Sequence, residues 1–150
     1  MDLILWRHAE AEDGVPDSAR KLTARGEKQA QKIAKWLKAR IESPIQVLVS
    51  PTVRTQQTAR MLTSEFETTA EAGVSTSVKR LLHAAGYPNA KGTVVIVGHQ
   101  PTLGQVAAFL LTGETAEWDV KKGAVWWFEV SDDEGEPSAS LRAAIAPREA

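Results

Sequence analysis

Short apolar runs alternate with longer segments of helical periodicity along the first two thirds of the chain. Three of these runs, at residues 3–7, 45–49 and 93–97, each end in a turn. An uninterrupted apolar run of this length is typical of a strand that is buried on both faces, as in a parallel sheet. The alternation of such strands with helical segments predicts an α/β fold.

The segments between the predicted strands carry apolar residues at the spacing of amphipathic helices. Thr23 is a suitable N-cap for the first helix, and Pro44 ends it. Ser50 is expected to cap the second helix, with Pro51 at its first position, and Gly113 is expected to terminate the fourth. The predicted inner faces are, in chain order, Ala30, Ile33, Ala34, Leu37 and Ile41; Ala59, Leu62 and Phe66; Val74, Val78, Leu81, Leu82 and Ala85; and Leu103, Val106, Ala107 and Leu110.

Near the end of the chain the apolar period changes to two. Alternating segments at residues 124–130 and 139–145 flank a turn predicted at residues 132–137, which indicates an antiparallel hairpin. The full expectation is a three-layer α/β/α sandwich, in which a mainly parallel central sheet has helices on both faces, an antiparallel edge and a C-terminal hairpin. At 150 residues the chain is expected to form one domain, over residues 1–150.

Composition restricts the classes of partner and chemistry. The formal net charge is −1, with both signs dispersed, which argues against a nucleic-acid-binding or membrane-surface protein. The chain has no cysteine, which excludes disulfides, thiolate metal sites and a cysteine nucleophile. No apolar stretch approaches the roughly 20 residues of a membrane span, and the first residues do not form a signal-peptide pattern. We therefore expect a cytoplasmic protein, in which any anion site is built from a few convergent basic residues.

Basic residues and histidines stand at the ends of all three predicted strands. Arg7 and His8 close the first strand, Arg54 lies in the first turn of the helix after the second, and His99 follows the third. Open α/β sheets bind ligands at the carboxyl ends of their strands, so these side chains are expected to converge. A neutral histidine nitrogen can attack a phosphoryl group, while guanidinium groups bind its oxygens and lower the histidine pKa. The pattern predicts a phosphate site.

Each of these elements taken alone has a plainer interpretation. An Arg-His dipeptide usually arises by chance, Arg54 is expected on the surface turn of its helix, and His99 could be a hydrogen-bonded residue at a strand end. Their joint occurrence, in this order and on these element types, favours the functional interpretation. His83 lies beside apolar-stripe leucines and is assigned no role.

Together, Arg7-His8, the Ser-Pro-Thr-Val-Arg segment at 50–54 and the Gly-His-Gln-Pro segment at 98–101 resemble the histidine phosphatase superfamily. The resemblance is greatest to its small SixA-type phosphohistidine phosphatases, which have the phosphoglycerate mutase-like fold. Residues 17–26, ending in Leu-Thr-Ala-Arg-Gly, are similar to the family's stretch at the first helix, and the match runs from residue 3 to about residue 110.

The resemblance implies a role for each matching residue. His8 would be the phosphate-accepting nucleophile, Arg7 and Arg54 would bind the phosphoryl oxygens, and His99 would complete the catalytic pocket. The family works without a metal or an organic cofactor, so neither is expected. The implied substrate is a phosphohistidine-bearing protein or a small phosphorylated molecule. Position 9 is alanine where many members have glycine, and the SixA-type branch accepts both.

The proton donor of larger family members has no recognisable counterpart. Those members place an acidic residue in an insertion between the second and third segments, and this interval is short here. Without a dedicated acid, a phosphohistidine is expected to be a better substrate than an alkyl phosphate. Its leaving group is an imidazole, whose ring pKa of about 6.5 makes it partly self-protonating around neutral pH. A small-molecule phosphomonoesterase and a non-catalytic phospho-ligand binding domain remain the alternatives. The acidic residues considered are Glu65, Glu67 and Glu71 in the interval, and Glu10, Glu12 and Asp13 after the nucleophile.

Overall fold

Strands and helices alternate as the sequence predicts. The computed structural model describes residues 1–42 and 44–150. Its strands are β1 (Asp2–Arg7), β2 (Ile45–Val49), β3 (Glu67–Thr68), β4 (Thr93–Gly98), β5 (Val125–Asp133) and β6 (Glu136–Ile145). Its helices are α1 (Ala24–Lys38), α2 (Val53–Arg60), α3 (Val78–Ala84) and α4 (Thr102–Thr112), and short 3₁₀ turns lie at Asp17–Ala19, Ala70–Ala72 and Pro147–Glu149. Across the described ranges, no helix has both the length and the apolar character needed to cross a membrane.

The strands form one mixed sheet in the order β3-β2-β4-β1-β5-β6. The first four in that order are parallel, β5 runs antiparallel to β1, and β6 completes the hairpin with β5. The predicted parallel centre, antiparallel edge and terminal hairpin are therefore confirmed. The two-residue β3 was not predicted, because a strand this short has no detectable period.

Helices cover both faces of the sheet. Ile4 and Trp6 of β1 pack with α1 and α2 on one face, whereas Leu3 and Leu5 pack with α3 and α4 on the other. These four side chains are fully buried, because alternate residues of a central strand point to opposite covered faces. The arrangement confirms the predicted three-layer α/β/α sandwich.

The second helix is shorter than predicted. It begins at Val53 with Thr52 at the N-cap position, so Ser50 is not its cap. The carbonyl of Ser50 accepts a hydrogen bond from the hydroxyl of Thr55, and the Ser50 hydroxyl bonds outside the helix, so the strand ends before the helix begins. Leu62 and Phe66 lie beyond the helix end at Arg60 but still pack against its face of the sheet.

Two other predicted boundaries were wrong. Ser77 caps α3 by accepting a hydrogen bond from the backbone N–H of Arg80, and Val74 therefore lies before the helix and is 56% exposed. The hairpin turn is also shorter than the predicted turn at residues 132–137, because only Glu134 and Gly135 lie between β5 and β6. Both have positive φ angles, 56° and 81°, which suits the right-handed twist of a two-residue hairpin.

Candidate active site

Strand register brings the two predicted histidines together. Arg7 of β1 pairs with Gly98 of β4, so the next residue of each strand leaves the sheet at the same edge. The ring centroids of His8 and His99 lie 5.4 Å apart. Val49 of β2 pairs with Val97 of β4, which brings the end of β2 to the same place. Three strand ends therefore meet, as the motif spacing predicts.

A backbone carbonyl sets the tautomer of His8. Its Nδ1 lies 2.7 Å from the carbonyl oxygen of Ala9. A carbonyl only accepts hydrogen bonds, so Nδ1 carries the ring proton and Nε2 is unprotonated and keeps its lone pair. The sequence could not identify this acceptor, because it is supplied by the turn that follows the strand.

Arg54 is buried beside His8. Its guanidinium donates from Nε to His8 Nε2 at 3.3 Å, from Nη1 to the carbonyl oxygen of Asp17 at 2.9 Å, and from Nη2 to Oδ2 of Asp17 at 3.1 Å. The expected surface position was wrong, since Arg54 is only 4% exposed. The loop between β1 and α1 folds over the first turn of α2 and covers the side chain.

Arg7 is the last residue of β1, and its side chain is anchored by the loop that precedes β5. Its Nη1 donates to the carbonyl oxygen of Val120 at 3.0 Å. Within the part of the chain that the structure describes, the buried Nε–H of Arg7 has no hydrogen-bond partner. Because an unsatisfied buried donor is costly, this N–H is suited to an anionic acceptor.

Burial and neighbouring cations keep both histidines neutral. The pKa of His8 is lowered to about 3, mainly by burial and to a smaller extent by His99, Arg54 and Arg7, whereas the hydrogen bond to Ala9 opposes the change. The pKa of His99 falls to about 4, mainly through burial and then through Arg54. A neutral His8 has the lone pair that nucleophilic attack requires.

Ser50 holds His99 and is a site residue that the sequence analysis did not identify. Its hydroxyl oxygen lies 2.8 Å from His99 Nε2, and both side chains are buried. The Ser-Pro pattern was interpreted as a helix cap, which accounts for the omission. The resemblance of the whole 50–54 segment to a family motif was the signal that could have identified it.

Two local contacts tie the nucleophile loop to its surroundings. The Thr58 hydroxyl accepts from the backbone N–H of Ala9 at 3.2 Å and donates to the carbonyl of Arg54 at 2.8 Å.

A Cβ at Gly26 would collide with the backbone carbonyl of Glu10, so only glycine lets α1 approach this loop. This close approach explains the glycine that ends the 17–26 stretch.

The acidic residues considered from the sequence are bonded elsewhere or exposed. The Glu10 carboxylate accepts from the Thr23 hydroxyl at 2.8 Å, and Glu71 pairs with Arg80 at 2.9 Å. Asp13 is exposed. The carboxylate that bonds an arginine of the site is instead Asp17, at 3.1 Å. No group of three or more potential metal ligands occurs among the described residues.

Known proteins resemble this chain in sequence and in structure. Residues 3–76 match the model of the histidine phosphatase superfamily (branch 1). The phosphohistidine phosphatase SixA homolog of Haemophilus influenzae is 32% identical over 127 residues, which cover 73% of this chain and 77% of that protein. Phosphohistidine phosphatase SixA of Escherichia coli K12 is 28% identical over 128 residues, 77% of each chain. A structure of the protein histidine phosphatase SixA complexed with tungstate aligns with a TM-score of 0.78 at 28% identity, covering 99% of this chain and 98% of that one.

Proposed function

The chain belongs to the histidine phosphatase superfamily, and we propose that it removes phosphate from a histidine of another protein, as a SixA-type phosphohistidine phosphatase. The family makes it a phosphatase, and its relatives named SixA support phosphohistidine as the substrate. The observation that carries the proposal is the neutral His8, whose Nε2 lone pair lies against the Arg54 guanidinium at 3.3 Å.

The first proposed step transfers the phosphoryl group to His8. The Nε2 lone pair forms a bond to phosphorus while the phosphorus–nitrogen bond of the substrate breaks, and the electron pair of that bond stays on the substrate imidazole. A proton on the distal nitrogen of that ring lets it leave as neutral imidazole. Arg7, Arg54 and His99 would bind the three equatorial oxygens, where charge develops during transfer.

The second step is hydrolysis of the phosphorylated His8. Attack by water on phosphorus breaks the bond to Nε2 and releases inorganic phosphate. The proton that the Ala9 carbonyl holds on Nδ1 makes His8 leave as neutral imidazole, so the enzyme's own ring needs no separate acid. One hydrogen bond of 2.7 Å thereby serves both steps, by exposing the lone pair in the first and keeping the leaving group neutral in the second.

The ionised carboxylate of Asp17 supports a phosphohistidine substrate over an alkyl phosphate. Hydrogen bonds from Arg20 and Arg54 hold the pKa of Asp17 below its usual range, so this carboxylate is ionised and is a poor proton donor. Loss of a general acid costs roughly 10²–10⁴-fold for a leaving group that requires a proton. Imidazole protonated on its distal nitrogen does not require one.

A substrate comparison tests the proposal. We expect kcat/KM to fall in the order phosphohistidine protein, aryl phosphate, alkyl phosphate such as a sugar phosphate. A higher kcat/KM for an alkyl phosphate would favour the small-molecule phosphomonoesterase. Binding of vanadate or phosphate without turnover of any of the three would favour the non-catalytic phospho-ligand binding domain. A single domain over residues 1–150, the cytoplasmic location and the absence of a cofactor stay predictions.

A further inference from the structure

The Arg54 guanidinium presents two different edges to two different groups. Its end-on edge, formed by Nη1 and Nη2, donates to Asp17, once to the backbone carbonyl and once to the carboxylate. Its side-on edge, formed by Nε and Nη2, faces His8, because Nε–H points to the lone pair of Nε2. A guanidinium is planar and its N–H donors have fixed directions, so holding one edge determines where the other points.

Asp17 is itself held in place from the outside. Its second carboxylate oxygen accepts from Nη1 of Arg20 at 3.0 Å, and Nε of Arg20 donates to the carbonyl of Glu12 at 2.7 Å. These bonds close the loop between β1 and α1 around the carboxylate. The side chain of Asp17 is 58% exposed and that of Arg54 is 5% exposed. A residue of the surface loop therefore forms an ion pair with a buried cation.

We propose that Asp17 is a positioning residue, which occupies the end-on edge of Arg54 and thereby turns the side-on edge toward the phosphoryl group transferred to His8. The inference rests on the proposed function, because it assigns Asp17 a part in the same phosphoryl transfer. Asp17 touches neither His8 nor the transferred group in this role. It acts through Arg54, whose Nε–H and second Nη2–H would then meet two phosphoryl oxygens together.

Without the Asp17 carboxylate, the Arg54 side chain keeps its charge but loses one of its two anchors. The backbone carbonyl of Asp17 remains as the other. Attraction of a phosphate anion to the pocket is therefore largely preserved, whereas alignment of the two donors in the transition state is not. We expect a loss that falls mainly on kcat and only weakly on KM.

The test is a double-mutant cycle on Asp17 and Arg54 with an aryl phosphate as substrate. Asp17→Asn replaces the carboxylate with a neutral amide, whose single oxygen is a weaker acceptor and cannot serve both Arg54 and Arg20 as the two carboxylate oxygens do. It should lower kcat about tenfold, the scale of one charge-assisted hydrogen bond. Arg54→Lys keeps the positive charge, but an ammonium group has no planar edges that Asp17 could orient. In the Arg54→Lys background, Asp17→Asn should therefore have almost no further effect.

Asp13→Asn is the matched control. Asp13 lies on the same loop and is exposed, and among the described residues its carboxylate makes no side-chain hydrogen bond or ion pair. This variant removes the same charge from the same loop and should retain the wild-type kcat. Melting curves of both asparagine variants show that each is folded at the assay temperature.

Three results would overturn the inference. An equal loss from Asp17→Asn in the wild-type and Arg54→Lys backgrounds would mean that Asp17 acts through the loop and not through Arg54. A loss that grows as the leaving group of the aryl phosphate becomes more basic would make Asp17 a proton donor. Wild-type kcat in Asp17→Asn would remove its role altogether. Failure of the wild type to act on phosphohistidine protein would overturn only the proposed substrate, because the cycle is measured on aryl phosphate.

Discussion

The Nε–H of Arg54 points at the Nε2 lone pair of His8, 46 residues away in the sequence and 3.3 Å away in space. This lone pair is the one that must attack phosphorus, so the contact sets the arginine directly at the reaction centre. The cation also disfavours protonation of His8, in the same direction as burial. When a phosphoryl group occupies the pocket, the same N–H can pass from the lone pair to a phosphoryl oxygen.

Substitution of the nucleophile should abolish turnover. His8→Ala removes Nε2, so we expect no more than a trace of aryl phosphatase activity in a folded protein. His83→Ala is the control, because His83 is exposed on α3, and it should retain full activity. Acid quench of the wild type during turnover should trap a phosphoenzyme labelled on His8. Clear activity in folded His8→Ala, or a label elsewhere, would contradict the assignment.

Arg54 should contribute to both anion affinity and local stability. Arg54→Ala removes charge-assisted hydrogen bonds of roughly 1.5–3 kcal/mol each, so vanadate affinity measured by calorimetry should fall at least about tenfold. The surface position expected from the sequence predicts an unchanged melting temperature. The buried position and the bonds to Asp17 predict a lower one. Unchanged vanadate affinity together with a lower melting temperature would make Arg54 purely structural.

Ser50 should act through His99. Ser50→Ala leaves His99 Nε2 without its hydroxyl partner, and we expect kcat on an aryl phosphate to fall about 2- to 10-fold, the scale of one neutral hydrogen bond. Ser77→Ala is a contrasting control, because it removes the N-cap of α3. That variant should lower the melting temperature and leave kcat unchanged. An unaltered kcat in Ser50→Ala would show that His99 is held by its other contacts.

Acid should destabilise the protein through its two neutral histidines. Their folded pKa values, about 3 and about 4, lie below the unfolded value near 6.5, so below that value the unfolded state binds protons that the folded state does not. Stability should therefore fall as the pH is lowered from about 7.5 to about 5, by roughly 2 kcal/mol for each histidine. His8→Asn should reduce this fall in urea titrations. An equal fall in wild type and His8→Asn would contradict the low pKa of His8.

Chelators should leave activity unchanged. Every group proposed to contact the transferred phosphoryl group is a histidine ring or a guanidinium, and the phosphate charge is met by Arg7 and Arg54. We expect the same kcat on an aryl phosphate before and after dialysis against EDTA. Loss of activity that zinc, manganese or magnesium restores would contradict this mechanism.

The α/β fold and most of the candidate site could be predicted from local sequence patterns. Uninterrupted apolar runs identify the parallel strands, and period-two alternation identifies the hairpin. His8, Arg54 and His99 stand at predicted strand or helix ends, and the topology of a parallel sheet brings such ends to one edge. These features depend on residues that are close in sequence, so a single sequence is enough to reveal them.

The contacts that orient those side chains depended on the tertiary structure. Ser50 meets His99 across 49 positions and Asp17 meets Arg54 across 37. Both contacts depend on strand register and on the path of a loop over α2, and neither leaves a periodic pattern in the chain. The burial that keeps both histidines neutral has the same origin, because it arises from elements distant in sequence packing around one sheet edge. Local chemistry thus determined which groups the protein can use, and packing decided their tautomers, charges and directions.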